Sequence, residues 1–158
     1  MLESWSDFFV AAAGASAGLA GLIIVAMSVN ITTIVKVPSL PSRAGATIAS
    51  LVLVVVVSIA GLIPKLSIVG YGIIVIAGAL GALAFAVESA VRILRTTGPT
   101  PPSITKGLAG AIPAALTLAG GSMLAAGADG LGYIAAGVLI AFITSVLNAW
   151  VLLVEIRR

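Results

Sequence analysis

The sequence predicts an all-α fold, a polytopic membrane helical bundle with five transmembrane helices. Of its 158 residues, 61% are hydrophobic and 8% are charged, and the mean hydropathy is +1.29; soluble domains carry about a quarter charged residues. The charged side chains also divide the chain into five charge-free runs of 21 to 28 residues. At 1.5 Å per helical residue, each run is long enough to cross a hydrocarbon core about 30 Å thick.

The first predicted helix spans about residues 8–35. The chain begins MLESWSD, without a basic region, and the apolar run is longer than the 7 to 15 residues of a signal peptide, so we expect a retained membrane helix. Gly14 and Gly18 stand four residues apart within AAAGASAGLAG. Because small residues let helix backbones approach closely, we expect both glycines in a helix–helix contact, either within the chain or between copies of it.

The second and third predicted helices span about residues 44–63 and 67–92, with a tight antiparallel hairpin between them. The Pro-rich segment 37–42, which precedes them, is expected to be a loop. The second helix contains the bulky β-branched run LVLVVVVSIAGLI at 51–63, which we expect to face lipid. The third contains Gly78 and Gly81, which we expect to pack against a neighbouring helix.

The fourth and fifth predicted helices span about residues 106–127 and 131–155 and form a second tight hairpin. The Pro-rich segment 96–105 is expected to be the loop before them. Pro113 falls inside the fourth helix, where its ring and missing N–H are expected to kink the helix. Residues 1–158 therefore form a single transmembrane domain.

The distribution of basic residues predicts the orientation. With the N-terminus outside and the C-terminus cytoplasmic, only Lys65 among the eight basic residues lies outside. The positive-inside rule favours this arrangement over its reverse. The cytoplasmic set is Lys36, Arg43, Arg92, Arg95, Lys106, Arg157 and Arg158. We therefore expect a multi-pass protein of the cell inner (plasma) membrane.

Missing residue types exclude most enzyme chemistry. The chain contains no histidine and no cysteine, so it offers no His general base, Cys nucleophile or thiolate zinc site. It also has no phosphate-binding glycine motif and no ligand-spaced carboxylates. Its few cations are too scattered to form a nucleic-acid-binding patch. We expect a non-enzymatic protein with no cofactor, no metal and no nucleic-acid partner.

The predicted functional residues form a polar layer at the cytoplasmic ends of the first, third and fifth helices. Polar and ionisable groups at membrane depth are candidates for function because burying them in lipid is unfavourable. If these three helices meet, five polar side chains come together. They are Asn30, Glu88, Thr144, Ser145 and Asn148.

Individual members of this layer allow two interpretations each. Glu88 has Arg92 four residues later, so it forms either an interfacial ion pair that anchors the helix end or a proton- or cation-binding group. Asn30 and Asn148 either form interhelical hydrogen bonds that fix helix register or line a permeation path.

Residues 5–44, WSDFFVAAAGASAGLAGLIIVAMSVNITTIVKVPSLPSRA, resemble a group of small bacterial multi-spanning inner-membrane proteins of unassigned function. The shared elements are an acidic, aromatic start, an Ala/Gly-rich first helix, a Ser-x-Asn end at 28–30 and a Pro-x-x-Pro-x-Arg turn at 38–43. The resemblance covers about a quarter of the chain. It implies residence in a bacterial inner membrane and identifies no catalytic residue.

Two functions are consistent with these features. The first is a homo-oligomeric channel- or pore-like protein whose polar layer lies in the cytoplasmic leaflet. The second is an accessory or regulatory subunit of a larger membrane complex, such as a membrane protease or transporter. The expected partners are the lipid bilayer, further copies of the chain and, for the second function, another membrane protein.

Overall fold

A computed structural model describes residues 2–29, 31, 39–97 and 101–154. All regular structure in these ranges is helical, which confirms the predicted all-α class. A short 3-10 helix, Leu2–Trp5, leads into the first of five α-helices. They are α1 (Ser6–Val29), α2 (Ser39–Gly61), α3 (Ile68–Thr97), α4 (Pro101–Ala125) and α5 (Leu131–Val154).

The helices have the length and composition of membrane-spanning segments. Within the described ranges, four helical stretches are long and apolar enough to cross a membrane: Leu2–Val29, Pro41–Gly61, Ile68–Arg95 and Leu131–Trp150. In α4 the apolar part is shorter, Gly110–Ala125. Large apolar side chains also cover the outside of the bundle; Leu22 and Trp150 are each 67% exposed. Such an outer surface is suited to a hydrocarbon environment.

Two helices begin earlier than the sequence predicts. α2 begins at Ser39 and α4 at Pro101, whereas helices were expected from 44 and 106. The predicted loops 37–42 and 96–105 are therefore too long. Pro41 and Pro101 lie in the first helical turn, where the backbone N–H has no intrahelical partner, so proline is tolerated there. α3 likewise continues to Thr97, and the expected end of the first helix at 35 lies outside the described residues.

Two short connections, residues 62–67 and 126–130, lie at the same end of the bundle, which we call the hairpin end. The opposite end, where α2 and α4 begin, is the far end. Ser67 Oγ accepts a hydrogen bond from Gly70 N at 3.0 Å, and Asp129 Oδ1 accepts one from Leu131 N at 3.2 Å. These two bonds cap α3 and α5. Gly127, with φ of 80°, supplies the left-handed conformation that ends α4.

The described helices form one bundle in which α2 contacts all four others. Each helix packs against the next, and α5 returns to contact α1; α2 additionally contacts α4 and α5. Leu51, Val54 and Val57 of α2 are buried. The expectation that residues 51–63 face lipid is therefore wrong. Because α2 has neighbours on several sides, its bulky residues fill the core, and only part of its surface, including Val52 and Ile59, lies outside.

The core is apolar and aromatic towards the hairpin end. Phe9 of α1 and Tyr71 of α3 are buried, and their ring centroids are 5.9 Å apart. Phe9 also packs on Gly61 of α2, where an added Cβ would lie 2.6 Å from its ring. Three helices are thus joined around one aromatic pair.

Close backbone contacts occur at glycines other than those the sequence singled out. A Cβ added at Gly72 of α3 would lie 2.8 Å from both Ala125 N and Gly121 O of α4, and Gly120 of α4 packs equally closely against α5. Such contacts explain why α3 and α4 share the most extensive interface in the bundle.

The predicted packing glycines behave differently from one another. At Gly78, an added Cβ would lie 2.9 Å from Leu53 Cδ1 of α2, so this glycine does pack within the chain. Around Gly14, Gly18 and Gly81, no atom of a neighbouring residue lies within 4 Å of an added Cβ. The expectation of a contact within the chain is wrong for these three glycines, because their helix faces point outwards. Contacts between copies stay a prediction.

Pro113 is buried, and α4 continues through it from Pro101 to Ala125. One turn later, Thr117 Oγ1 donates a hydrogen bond to Pro113 O at 2.8 Å. Gly137 of α5 packs against this carbonyl. Pro113 thus lies in the α4–α5 interface; the kink stays a prediction.

Candidate functional site

A small polar cavity lies between α2, α3, α4 and α5 towards the far end. Its volume is about 40 Å³. Arg43, Thr47 and Ser50 line it from α2, and their spacing of four and three residues places them on one helix face. Most of the remaining polar lining comes from the end of α5, with one serine from α3: Ser89, Thr144, Ser145 and Asn148. We call this the polar cavity.

A chain of hydrogen bonds joins α2 to α5 at the polar cavity. Arg43 Nη2 donates to Asn148 Oδ1 at 3.2 Å, and Asn148 Nδ2 donates to Thr47 Oγ1 at 3.0 Å. Thr47 Oγ1 in turn donates to Arg43 O at 2.9 Å. The side-chain carbonyl and amide groups of Asn148 thus both form hydrogen bonds with α2. This is the interhelical role that was one of its two predicted interpretations.

Two hydroxyl groups in the polar cavity have no hydrogen-bond partner. The side chains of Ser50 and Ser145 are 8% and 1% exposed, and neither Oγ is hydrogen-bonded. A buried polar group left unpaired costs about 1–3 kcal/mol, so such groups are normally matched by water or by a ligand. The cavity could hold two or three water molecules, at about 15 Å³ each. A water molecule or another polar guest would satisfy both hydroxyls. Ser58 Oγ and Tyr71 Oη, which are buried elsewhere in the bundle, also lack a partner.

The Thr144 hydroxyl differs in this respect. Thr144 Oγ1 donates to Ile140 O of its own helix at 2.9 Å, as threonine commonly does inside a helix. Ser89 is buried at 5% exposure and brings α3 into the lining.

Glu88 lies outside the polar cavity. Arg92 Nη2 and Nε lie 2.7 Å and 3.0 Å from Glu88 Oε1, and both side chains are more than half exposed. The geometry is thus that of the surface ion pair, one of the two predicted interpretations. One residue further along α3, about 100° around the helix, Ser89 faces the cavity instead.

The predicted polar layer is therefore right in part. Thr144, Ser145 and Asn148 do lie together, whereas Glu88 does not join them and Asn30 lies outside the described residues. The layer was expected where the first, third and fifth helices meet, and this is wrong because α2 supplies the partners of α5.

The sequence analysis missed Arg43, Thr47, Ser50 and Ser89. The first three share a helical spacing in an otherwise apolar helix, and that signal could have found them. The predicted loop at 37–42 and helix start at 44 leave Pro41 and Arg43 outside the helix, which hides this spacing. Ser89 carries no comparable signal, since single serines are common in membrane helices.

An apolar layer closes the polar cavity towards the hairpin end. Continuing along α2 and α5 by one to two turns, the inward residues are Val54, Val57, Ala141 and Val138, all buried in the core. Val75 of α3 is fully buried in the same core. The bundle interior thus becomes mainly apolar about halfway along its length, although Ser58 of α2 and Thr117 of α4 are also buried there.

The charge of the polar cavity comes from Arg43. None of the lining side chains that the structure describes is acidic. Within the described ranges, no three His, Cys, Asp or Glu side chains lie close enough together to hold a metal ion. The arrangement can therefore donate hydrogen bonds to a small guest next to a positive charge.

No protein-family model, curated protein or solved structure matches this chain. The polar cavity and the outer surface of the bundle are therefore the features that bear on function.

Proposed function

We propose that this chain is a non-enzymatic integral membrane protein that assembles into a homo-oligomeric channel- or pore-like complex. The polar cavity is the cytoplasmic part of the path for a small hydrophilic solute. The observation that carries this proposal is the pair of buried hydroxyls, Ser50 and Ser145, which face a cavity without a partner. A bundle built only for structural support would gain stability from apolar residues at these positions.

All five helices cross the membrane in this proposal, with the N-terminus outside and the C-terminus cytoplasmic. α4 has 25 residues, about 37 Å of helix, which is sufficient for a span. Arg43, Arg92 and Arg95 lie towards the far end, whereas Lys65 lies at the hairpin end. The far end is therefore cytoplasmic by the positive-inside rule, and the membrane is the cell inner membrane.

Single cysteines test this topology, because the chain has none of its own. In intact cells, Ala128→Cys at the hairpin end should react with an impermeant thiol reagent, and Ser39→Cys should react only after the cells are opened. The reverse pattern would show that the orientation is wrong.

The apolar layer serves as the closed gate of the path. Polar lining on one side and close-packed valines on the other form a vestibule that ends at a hydrophobic constriction. Constrictions of this kind stop permeation because water leaves them. Opening then requires α2 and α5 to separate at the apolar layer.

The outward face of α1 supports assembly into oligomers. Gly14 and Gly18 lie on this face, exposed and without a neighbour inside the chain. Lipid gives no hydrophobic drive for helix association, so membrane helices associate through small residues that allow close packing. Two copies could approach closely at this face.

Native mass and solute flux test the proposal together. We expect the purified protein in lipid nanodiscs to have the mass of three or more copies, and liposomes containing it to release a small solute. Ser145→Leu should fill the cavity and lower this flux at least tenfold. The matched control Ser122→Leu changes an exposed serine near the hairpin end and should leave flux unchanged. A monomer with no flux above protein-free liposomes would refute the proposal.

A second candidate, an accessory subunit of a larger membrane complex, is favoured by the same α1 face. An unpartnered small-residue face can receive a helix of another protein as well as a copy of this chain. Gentle solubilisation from the native membrane distinguishes the two candidates. A monomer or dimer that carries a foreign membrane protein in fixed ratio supports the accessory role, and a homo-oligomer supports the channel.

A further inference from the structure

The polar cavity combines one cation with hydroxyl groups that can donate hydrogen bonds. The Arg43 guanidinium keeps its positive charge at every physiological pH, and its Nη2 donates to Asn148 Oδ1 at 3.2 Å. The hydroxyls of Ser50 and Ser145 can each donate, and neither is engaged elsewhere. None of the described lining side chains is acidic. The cavity therefore favours negative over positive guests.

The size of the polar cavity limits what enters it. At about 40 Å³, the cavity has room for two or three water molecules or one small ion, such as a halide or the planar, four-atom nitrate. Phosphate esters and the larger organic carboxylates exceed this volume.

We propose that the polar cavity binds a small monovalent inorganic anion of the halide or nitrate class. This identifies the solute of the path, and it therefore rests on the proposed function. The anion takes hydrogen bonds from Ser50 and Ser145 beside Arg43 and thereby satisfies the two hydroxyls that have no partner. The Arg43–Asn148–Thr47 chain positions the guanidinium at the edge of the cavity.

Elementary electrostatics explains the selectivity. Removing an anion from water is unfavourable unless a positive charge and several donors replace its hydration shell. Hydrogen bonds to charged groups are stronger than those between neutral groups. The serine hydroxyls therefore form stronger hydrogen bonds with an anion than with a water molecule. A cation in the same place would be repelled by Arg43.

Thermal unfolding of the full-length protein in nanodiscs tests anion binding directly. Sodium iodide, bromide, nitrate or chloride replaces sodium gluconate at constant ionic strength, and the unfolding midpoint is followed. A ligand that binds only the folded state raises the midpoint in a saturable way. We expect a saturable rise with the small anions and no saturable rise with gluconate or sulfate, although sulfate also stabilises proteins in general.

Three variants locate the site. Ser145→Ala removes an unpaired hydroxyl, so the protein should fold, and its half-saturating iodide concentration should rise about tenfold because one charged hydrogen bond is lost. Arg43→Gln should abolish the saturable response. Ser122→Ala, which changes an exposed hydroxyl bonded to its own helix, should behave as the parent protein.

The outcomes separate this inference from the proposed function. Saturable binding that Ser145→Ala weakens supports the anion site even if liposomes show no flux, in which case the channel proposal fails. Flux that is carried by cations or neutral solutes, without saturable anion binding, supports the channel and overturns the anion site. An equal, unsaturated salt response in all variants also overturns the anion site and leaves water as the guest.

Discussion

The close contact between α3 and α4 should be broken by a single methyl group. In Gly72→Ala, the new Cβ would lie 2.8 Å from two backbone atoms, Ala125 N and Gly121 O. That is about 0.6 Å short of ordinary contact, and neither backbone atom can rotate away as a side chain would. The helices must therefore move apart along the most extensive interface of the bundle.

The expected cost follows from this overlap. Inserting a methyl group into a close-packed interior costs about 1–3 kcal/mol, while replacing glycine by alanine within a helix gains up to about 1 kcal/mol. Gly81→Ala in the same helix is the matched control, because nothing lies within 4 Å of its added Cβ. We expect Gly72→Ala to lower the free energy of unfolding by about 1–3 kcal/mol relative to Gly81→Ala.

Unfolding by sodium dodecyl sulfate in mixed micelles, followed by circular dichroism, measures this difference. Both variants undergo the same change of residue in the same helix, so the comparison isolates the contact with α4. Equal unfolding midpoints would show that α3 and α4 do not meet at Gly72. The helix arrangement would then be wrong at its largest interface.

Three further predictions use the same unfolding assay. Leu51→Ala should lower the free energy of unfolding by about 2 kcal/mol because the side chain is fully buried. Val52→Ala on the outer surface should lower it by less than about 0.5 kcal/mol. Equal effects would show that Leu51 faces lipid rather than the core. Asn148→Leu should lower the free energy of unfolding by about 1 kcal/mol. The double variant with Thr47→Val should lose less than the sum of the two single variants, because both substitutions break the same hydrogen bond. Additive losses would contradict that network. Glu88→Gln should change stability by less than about 0.5 kcal/mol, because the pair with Arg92 is exposed; a loss above 1 kcal/mol would contradict a surface role.

Part of the candidate site was predictable because its signal is local. Ser145 and Asn148 are polar residues three positions apart near the end of an apolar helix, and they do share the polar cavity. Glu88 was grouped with them by depth alone. Depth follows from position along the chain, but direction around the helix axis does not, and Glu88 turned out to point outwards with Arg92.

The first predicted packing face has no partner within the chain, for a related reason. Gly14 and Gly18 have the spacing of a helix contact but no neighbour within the chain, whereas Gly72 and Gly120, which lack that spacing, do pack within it. Spacing shows that a close approach is possible. It does not show whether the partner is another helix of the same chain, a second copy or lipid.

The amino-acid sequence was sufficient to predict the helices and their tight connections. Runs of apolar residues between charges, and turn residues such as Asp129 and Gly127, act over a few positions and need no knowledge of distant neighbours. Which helix faces are buried depends on how the helices pack in the folded bundle. In a soluble protein the apolar face marks the core, but here core and surroundings are both apolar, so hydropathy cannot separate Leu51 from Val52. The polar cavity could not be foreseen as a whole because its donors come from separate helices that meet only in the folded bundle.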